Sequence, residues 1–230
     1  MSVILPATNL DFLKKLGENN NRDWFNENKD WYVKEHENAI SFAEELLTKL
    51  SAHDQIQTPT GKKSMMRIYR DVRFSKDKSP YKNRWAGSFS RVKPQLRGGY
   101  YYHIQPGATV IGGGFYQPNP EDLRLIRDHI AHDDAPLRKV INNKAFKEVF
   151  GEMGGEQVKT APKGFPKDHA SIDLLRYKSM YVFRSFTDKE VLSKDFADKA
   201  VSTFLALEPF FSVMTEMLTT DLNGISKIDA

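Results

Sequence analysis

The 230-residue chain contains no cysteine. That absence excludes disulfide scaffolds, thiolate zinc sites, iron–sulfur clusters and cysteine nucleophiles together. It also lacks an uninterrupted apolar run of the 18 or more residues that a membrane span requires. Its first residues, Met1 to Leu5 before Pro6, have no basic flank and too short an apolar core for a secretory leader. Glycine and proline, 14 and 11 residues, are neither scarce nor abundant, so low-complexity and collagen-like chains are also excluded. With 40% hydrophobic and 28% charged residues, the composition is that of an ordinary globular protein. A chain of this length buries roughly 70–75% of its unfolded surface and needs no metal or disulfide to fold. The expectation is a soluble cytoplasmic protein built as one domain over residues 1–230, with no membrane partner and no cofactor that the sequence requires.

Charge is distributed unevenly. Between Lys62 and Arg97 lie twelve Lys or Arg against Asp71 and Asp77, a local charge of +10. The net charge is +4, so the remaining residues carry −6. A basic insert in a mildly acidic chain points to an anionic partner.

The periodicity predicts an α+β fold. Leu10, Leu13 and Leu16 follow a possible cap at Thr8 or Asn9 and stop at Gly17. From Arg22 to about Leu50, apolar spacings of three, four and seven predict a helix that, if continuous, is roughly 40 Å long. Strands are expected near 67–74, 85–90, 100–105, 109–116 and 181–186, forming a central antiparallel sheet packed by N- and C-terminal helices. Pro106-Gly107 closes a hairpin between the third and fourth of these. Thr187 to Glu190 matches a capping box, and the helix behind it is expected to kink near Pro209.

The stretch Arg70-Asp-Val-Arg-Phe-Ser-Lys-Asp-Lys-Ser-Pro-Tyr-Lys82 resembles the bacterial and fungal family known as domain of unknown function 2461. Tyr102 to Gly107 with Gly112-Gly113-Gly114, and Pro162 to His169, are similar to the same family. The resemblance covers nearly the whole chain and implies a single uncharacterised domain. It carries over no activity and no catalytic residues.

Period two in the expected first strand places Ile68, Val72 and Phe74 on one face and Arg67, Tyr69 and Arg73 on the other. Residues two apart lie about 6.6 Å from each other, so two guanidinium forks and a phenol would stand in a row. Such forks match phosphate or carboxylate oxygens. Arg70, a charge on the apolar side, needs a partner of its own. Ser75, Lys76 and Lys78 add donors, and Tyr81, Lys82 and Arg84 continue the basic run. The competing reading pairs Asp71 and Asp77 with these cations and leaves a solvated loop. Tyr69, Tyr81 and Trp85, if exposed, offer stacking surfaces for bases. Gly113, within the glycine run, marks a close approach by a ligand or by facing tyrosines. Arg176 completes the anion-binding candidates.

Candidate catalytic residues are His103, Asp168, His169 and Asp173, because a histidine beside a carboxylate transfers protons near neutral pH. His129, His132, Asp133 and Asp134 have ligand-like spacing at an expected helix end, where capping accounts for them equally, and no metal site is assigned. No Walker loop, dinucleotide fingerprint, nucleophile elbow or His-Glu-x-x-His motif is present. Three functions stay open: binding of nucleic acid or another phosphate-rich anion, an enzyme on an anionic substrate using His103 or His169, and a scaffold for an acidic protein.

Overall fold

The structure is a computed structural model that describes residues 3–228. Helix α1 spans Ala7–Glu18, α2 Arg22–Glu27, α3 Lys29–Ser51 and the single turn α4 Gly61–Ser64. Strands β1 (Trp85–Ser90), β2 (Gly99–Ile104) and β3 (Thr109–Phe115) follow. Next come α5 (Pro120–His132), α6 (Ala135–Ile141), α7 (Lys144–Phe150) and α8 (Ile172–Leu175). The chain ends with β4 (Met180–Phe186), α9 (Asp188–Val191), α10 (Phe196–Leu205) and α11 (Glu208–Thr219). The strands form one antiparallel sheet in the order β1-β2-β3-β4, flanked by helices, and the fold is α+β.

Four expected strands are present and the fifth is not. Residues 67–74 form no strand; their only ladder contact is an isolated bridge from Tyr69 to Tyr81. Alternation fails there because Ile68 is 4% exposed while Phe74 is 97% exposed, so the two do not share a buried face. The expected long helix divides at Asn28, whose backbone leaves the helical region at φ −105° and ψ 26°. Its side-chain amide donates to the Trp24 carbonyl (2.9 Å), ending α2 before α3 begins. At the other end, the capping box of Thr187 and Glu190 is present but starts only the short α9. Pro209 lies in the first turn of α11, so the expected kink is a full break between α10 and α11. The stretch Phe196–Thr219 is long and apolar enough to cross a membrane by length and composition, yet half of its most apolar window is buried in the fold.

The chain gathers into two compact units. The first comprises residues up to Phe89, Tyr101–Ile111 and Ser185–Ser202. Its core joins Phe12, stacked on Trp85 at 5.9 Å, with Phe42, stacked on Phe196 at 5.4 Å. Asn9 is buried inside α1: its amide donates to the Glu35 carbonyl (2.9 Å), and its oxygen accepts from the Trp85 indole (2.8 Å). That double bond fixes α1, α3 and the start of β1 together. Within β1, a Cβ at Gly87 would stand 2.3 Å from the Tyr102 hydroxyl, so glycine makes room for that ring.

The second unit comprises Ser90–Tyr100, Gly112–Arg184 and the chain from Thr203. Here Tyr100 meets Phe204 and Phe211 edge-on, both at 5.1 Å. Helix α11 packs on α5 and α6.

Candidate functional site

The basic segment is built as a stem and a loop on the open edge of β1. Met65 bridges Gly87, and Met66 N–H donates to the Ala86 carbonyl (2.8 Å). Lys82 N–H donates to the Ile68 carbonyl (2.8 Å) and Arg70 N–H to the Pro80 carbonyl (2.9 Å). Residues 65–70 and 80–87 therefore run alongside each other, and 71–79 turn between them.

Both acids of the loop are paired with arginines. Arg73 forks Asp71, with Nε to Oδ1 at 3.0 Å and Nη2 to Oδ2 at 2.7 Å. Arg70 bonds Asp77, and Ser75 Oγ lies 3.5 Å from Arg70 Nη2. Asp77 also accepts from Ser79 N–H (2.9 Å) and Ser79 Oγ (2.6 Å). The Ser79 bonds and the Arg70 guanidinium hold the Asp77 carboxyl well below the usual carboxylate range. Lys78 donates to the Val72 carbonyl at 3.0 Å. Of the residues expected to bind an anion, Arg70, Arg73, Ser75 and Lys78 already have internal partners, while Lys76 is exposed. The expected row of guanidinium forks is not formed, because Arg73 is folded onto Asp71 rather than aligned with Arg67.

A different group of cations remains. Arg67 is exposed and makes no ion pair among the described residues, and Lys82 Nζ donates to the Arg67 carbonyl (3.0 Å). Burial, with the charges of Arg84 and Arg67, holds the Lys82 ammonium below the usual lysine range. Arg84, in the sequence only a continuation of the basic run, has a buried Nε with no hydrogen-bond partner. Its charge also reaches His103. Parity would not have found it: Trp85 and Ala86 are both buried, so burial does not alternate at the start of β1.

His103 closes the hairpin between β2 and β3. Its Nε2 lies 2.8 Å from the Ala108 carbonyl, and a carbonyl only accepts, so Nε2 carries the proton. Its Nδ1 then accepts from the Tyr101 hydroxyl at 3.1 Å. Burial pushes the imidazole pKa down; the Ala108 carbonyl opposes the shift and the Arg84 charge adds to it.

The remaining expected residues are dispersed. Tyr81 is buried and stacked on Phe25 at 4.0 Å, and Trp85 is buried, so neither offers an exposed stacking surface. Tyr69 does, at 47% exposure. Gly113 fits the structural reading: a Cβ there would meet the Gly99 carbonyl at 2.4 Å, with Leu207 and Phe211 close by. The ring above it is Phe211 rather than a tyrosine of β2. Arg176 donates through Nε to the Val158 carbonyl (2.8 Å). Asp173 is forked by Arg138 at 2.7 and 3.0 Å. His169 Nδ1 accepts from Ser171 N–H (3.0 Å), and Asp168 is exposed. No histidine is hydrogen-bonded to a carboxylate among the described residues. His129 lies 3.2 Å from the Thr220 carbonyl, and no cluster of metal-ligating side chains occurs among the described residues.

A family model described as a conserved hypothetical protein (DUF2461) matches residues 8–212. Neither the curated proteins nor the solved structures contain a match to the chain.

Proposed function

The chain belongs to the DUF2461 family of conserved hypothetical proteins, a membership that assigns no chemistry, and we propose that it binds a phosphate-bearing anion through Arg67, Lys82 and Arg84. One observation carries this reading: the charges of Arg84 and Arg67 both bear on Lys82, and none of the three forms an ion pair among the described residues, although the Asp71 charge reaches Arg67. Two like charges 6–8 Å apart near a protein surface repel by roughly 2–3 kcal/mol. A bound anion reverses the sign of that interaction, and the buried Arg84 Nε supplies a directed donor. Two neighbouring cations are already engaged, because Asp71 and Asp77 occupy Arg73 and Arg70.

His103 serves as a neutral wall rather than as an acid or base. Both of its nitrogens are engaged, and a proton taken up at Nδ1 would reverse the bond with Tyr101, turning the hydroxyl from donor to acceptor. The test is titration calorimetry with pyrophosphate and with a short oligonucleotide at low and at physiological salt. Arg84→Ala is expected to weaken both by about tenfold or more, and Arg73→Ala to leave both within about twofold. Equal losses in the two variants would overturn the assignment.

A further inference from the structure

The loop presents one side chain that its own hydrogen bonds and ion pairs do not explain. Phe74 is 97% exposed, while the residues around it are tied down by the Arg70–Asp77 and Arg73–Asp71 pairs, by Ser79 on Asp77 and by Lys78 on Val72. The Arg73 guanidinium lies 5.9 Å from the ring centroid, and exposed Lys76 follows two residues later. A wholly exposed phenylalanine on a pre-formed loop is displayed, not left over from packing.

Resting on the anion-binding reading, we infer that the ligand is single-stranded nucleic acid, with Phe74 stacking on a base while Arg67, Lys82 and Arg84 hold phosphates further along the strand. The ring's face accepts any base, and the flanking cations suit the backbone beside it. Phe74 lies seven residues along the chain from Arg67, and an extended chain covers at most about 3.6 Å per residue. A gap of up to about 25 Å is bridged by several linked nucleotides and not by a single phosphate group. Duplex DNA fits less well, because its bases are already stacked on each other. An anionic membrane fits less well too: one aromatic ring gives little apolar area, and Asp71 and Asp77 share the loop.

The test uses the full chain with Phe74→Trp and Phe74→Ala. A tryptophan at a wholly exposed position leaves the core untouched, and its emission is read as the difference from the parent protein, which has three tryptophans of its own. Adding oligodeoxythymidylate is expected to quench the new emission. Phe74→Ala is expected to weaken oligonucleotide binding by roughly 5- to 100-fold without changing its salt slope or the affinity for pyrophosphate. Unchanged emission, with Phe74→Ala binding as tightly as the parent, overturns the stacking inference while leaving the cation site standing. Loss of pyrophosphate binding in no variant of Arg67, Lys82 or Arg84 would instead remove the site itself. A response to phosphatidylserine vesicles and none to oligodeoxythymidylate assigns the loop to membranes and overturns the inference.

Discussion

At the scale of single residues, polar groups in the first unit are placed with little slack. Asn9 satisfies a carbonyl of α3 and the indole of Trp85 at once. Asn9→Ala leaves the buried indole N–H without a partner and removes the second bond to the helical Glu35 carbonyl, and it is expected to lower stability by about 1–3 kcal/mol, read as a lower urea midpoint with an unchanged slope. His103 makes the hairpin sensitive to acid. Its pKa lies below that of the unfolded chain, so the unfolded state takes up the proton first as pH falls. The hairpin's contribution is therefore complete above the ordinary histidine range and is lost as pH drops from there through the lowered value. Thermal melts should show a fall in Tm on acidification that His103→Gln flattens; an identical fall in the variant would place the effect elsewhere. The sequence shows which residues are basic but not which are already paired. Arg70 and Arg73 look as available as Arg67 until Asp71 and Asp77 are seen folded onto them. That pairing is set by loop geometry, for which no spacing rule exists.

At the scale of elements, the four strands joined in the sheet were legible and the segment hanging off the sheet edge was not. Burial alternates throughout β2, and Pro106-Gly107 sits at the centre of a turn closed by Ala108 N–H to the Gln105 carbonyl (3.0 Å). Gly107 there has φ +68°, the left-handed value such a turn asks of its third residue. Residues 67–74 have comparable β-branched and aromatic content but only one bridging partner, and side-chain-to-loop bonds decide their path instead. The division of α2 from α3 at Asn28 was equally hidden, since an asparagine within a helical pattern is tolerated unless its amide turns back on the backbone. The loop's order depends on Asp77, which takes bonds from Arg70 and Ser79 together. Asp77→Ala should release it, so that trypsin cuts after Lys76 and Lys78 faster than in the parent while the global melting temperature moves little. A cleavage rate equal to the parent's would show that the loop is held by something other than these bonds.

For the whole molecule, charge is sorted by function more than by amount. Twelve cations fall between Lys62 and Arg97, but the candidate site uses three of them, and the sequence alone points to the region rather than to the group. Arg84 is the informative case: it stands out neither by motif nor by spacing, and only the folded chain shows its Nε buried without a hydrogen-bond partner. If three phosphates of a single strand are neutralised, log K should fall with log salt at a slope near −2, and each cation removed should flatten it by roughly 0.7. The most direct measurement is fluorescence anisotropy of a labelled oligodeoxythymidylate across a salt series, with the parent protein and with Arg67→Ala, Lys82→Ala and Arg84→Ala. The account predicts salt-dependent binding by the parent, with a weaker affinity and a shallower slope in each variant. Binding with no salt dependence, or variants that bind as the parent does, would contradict it.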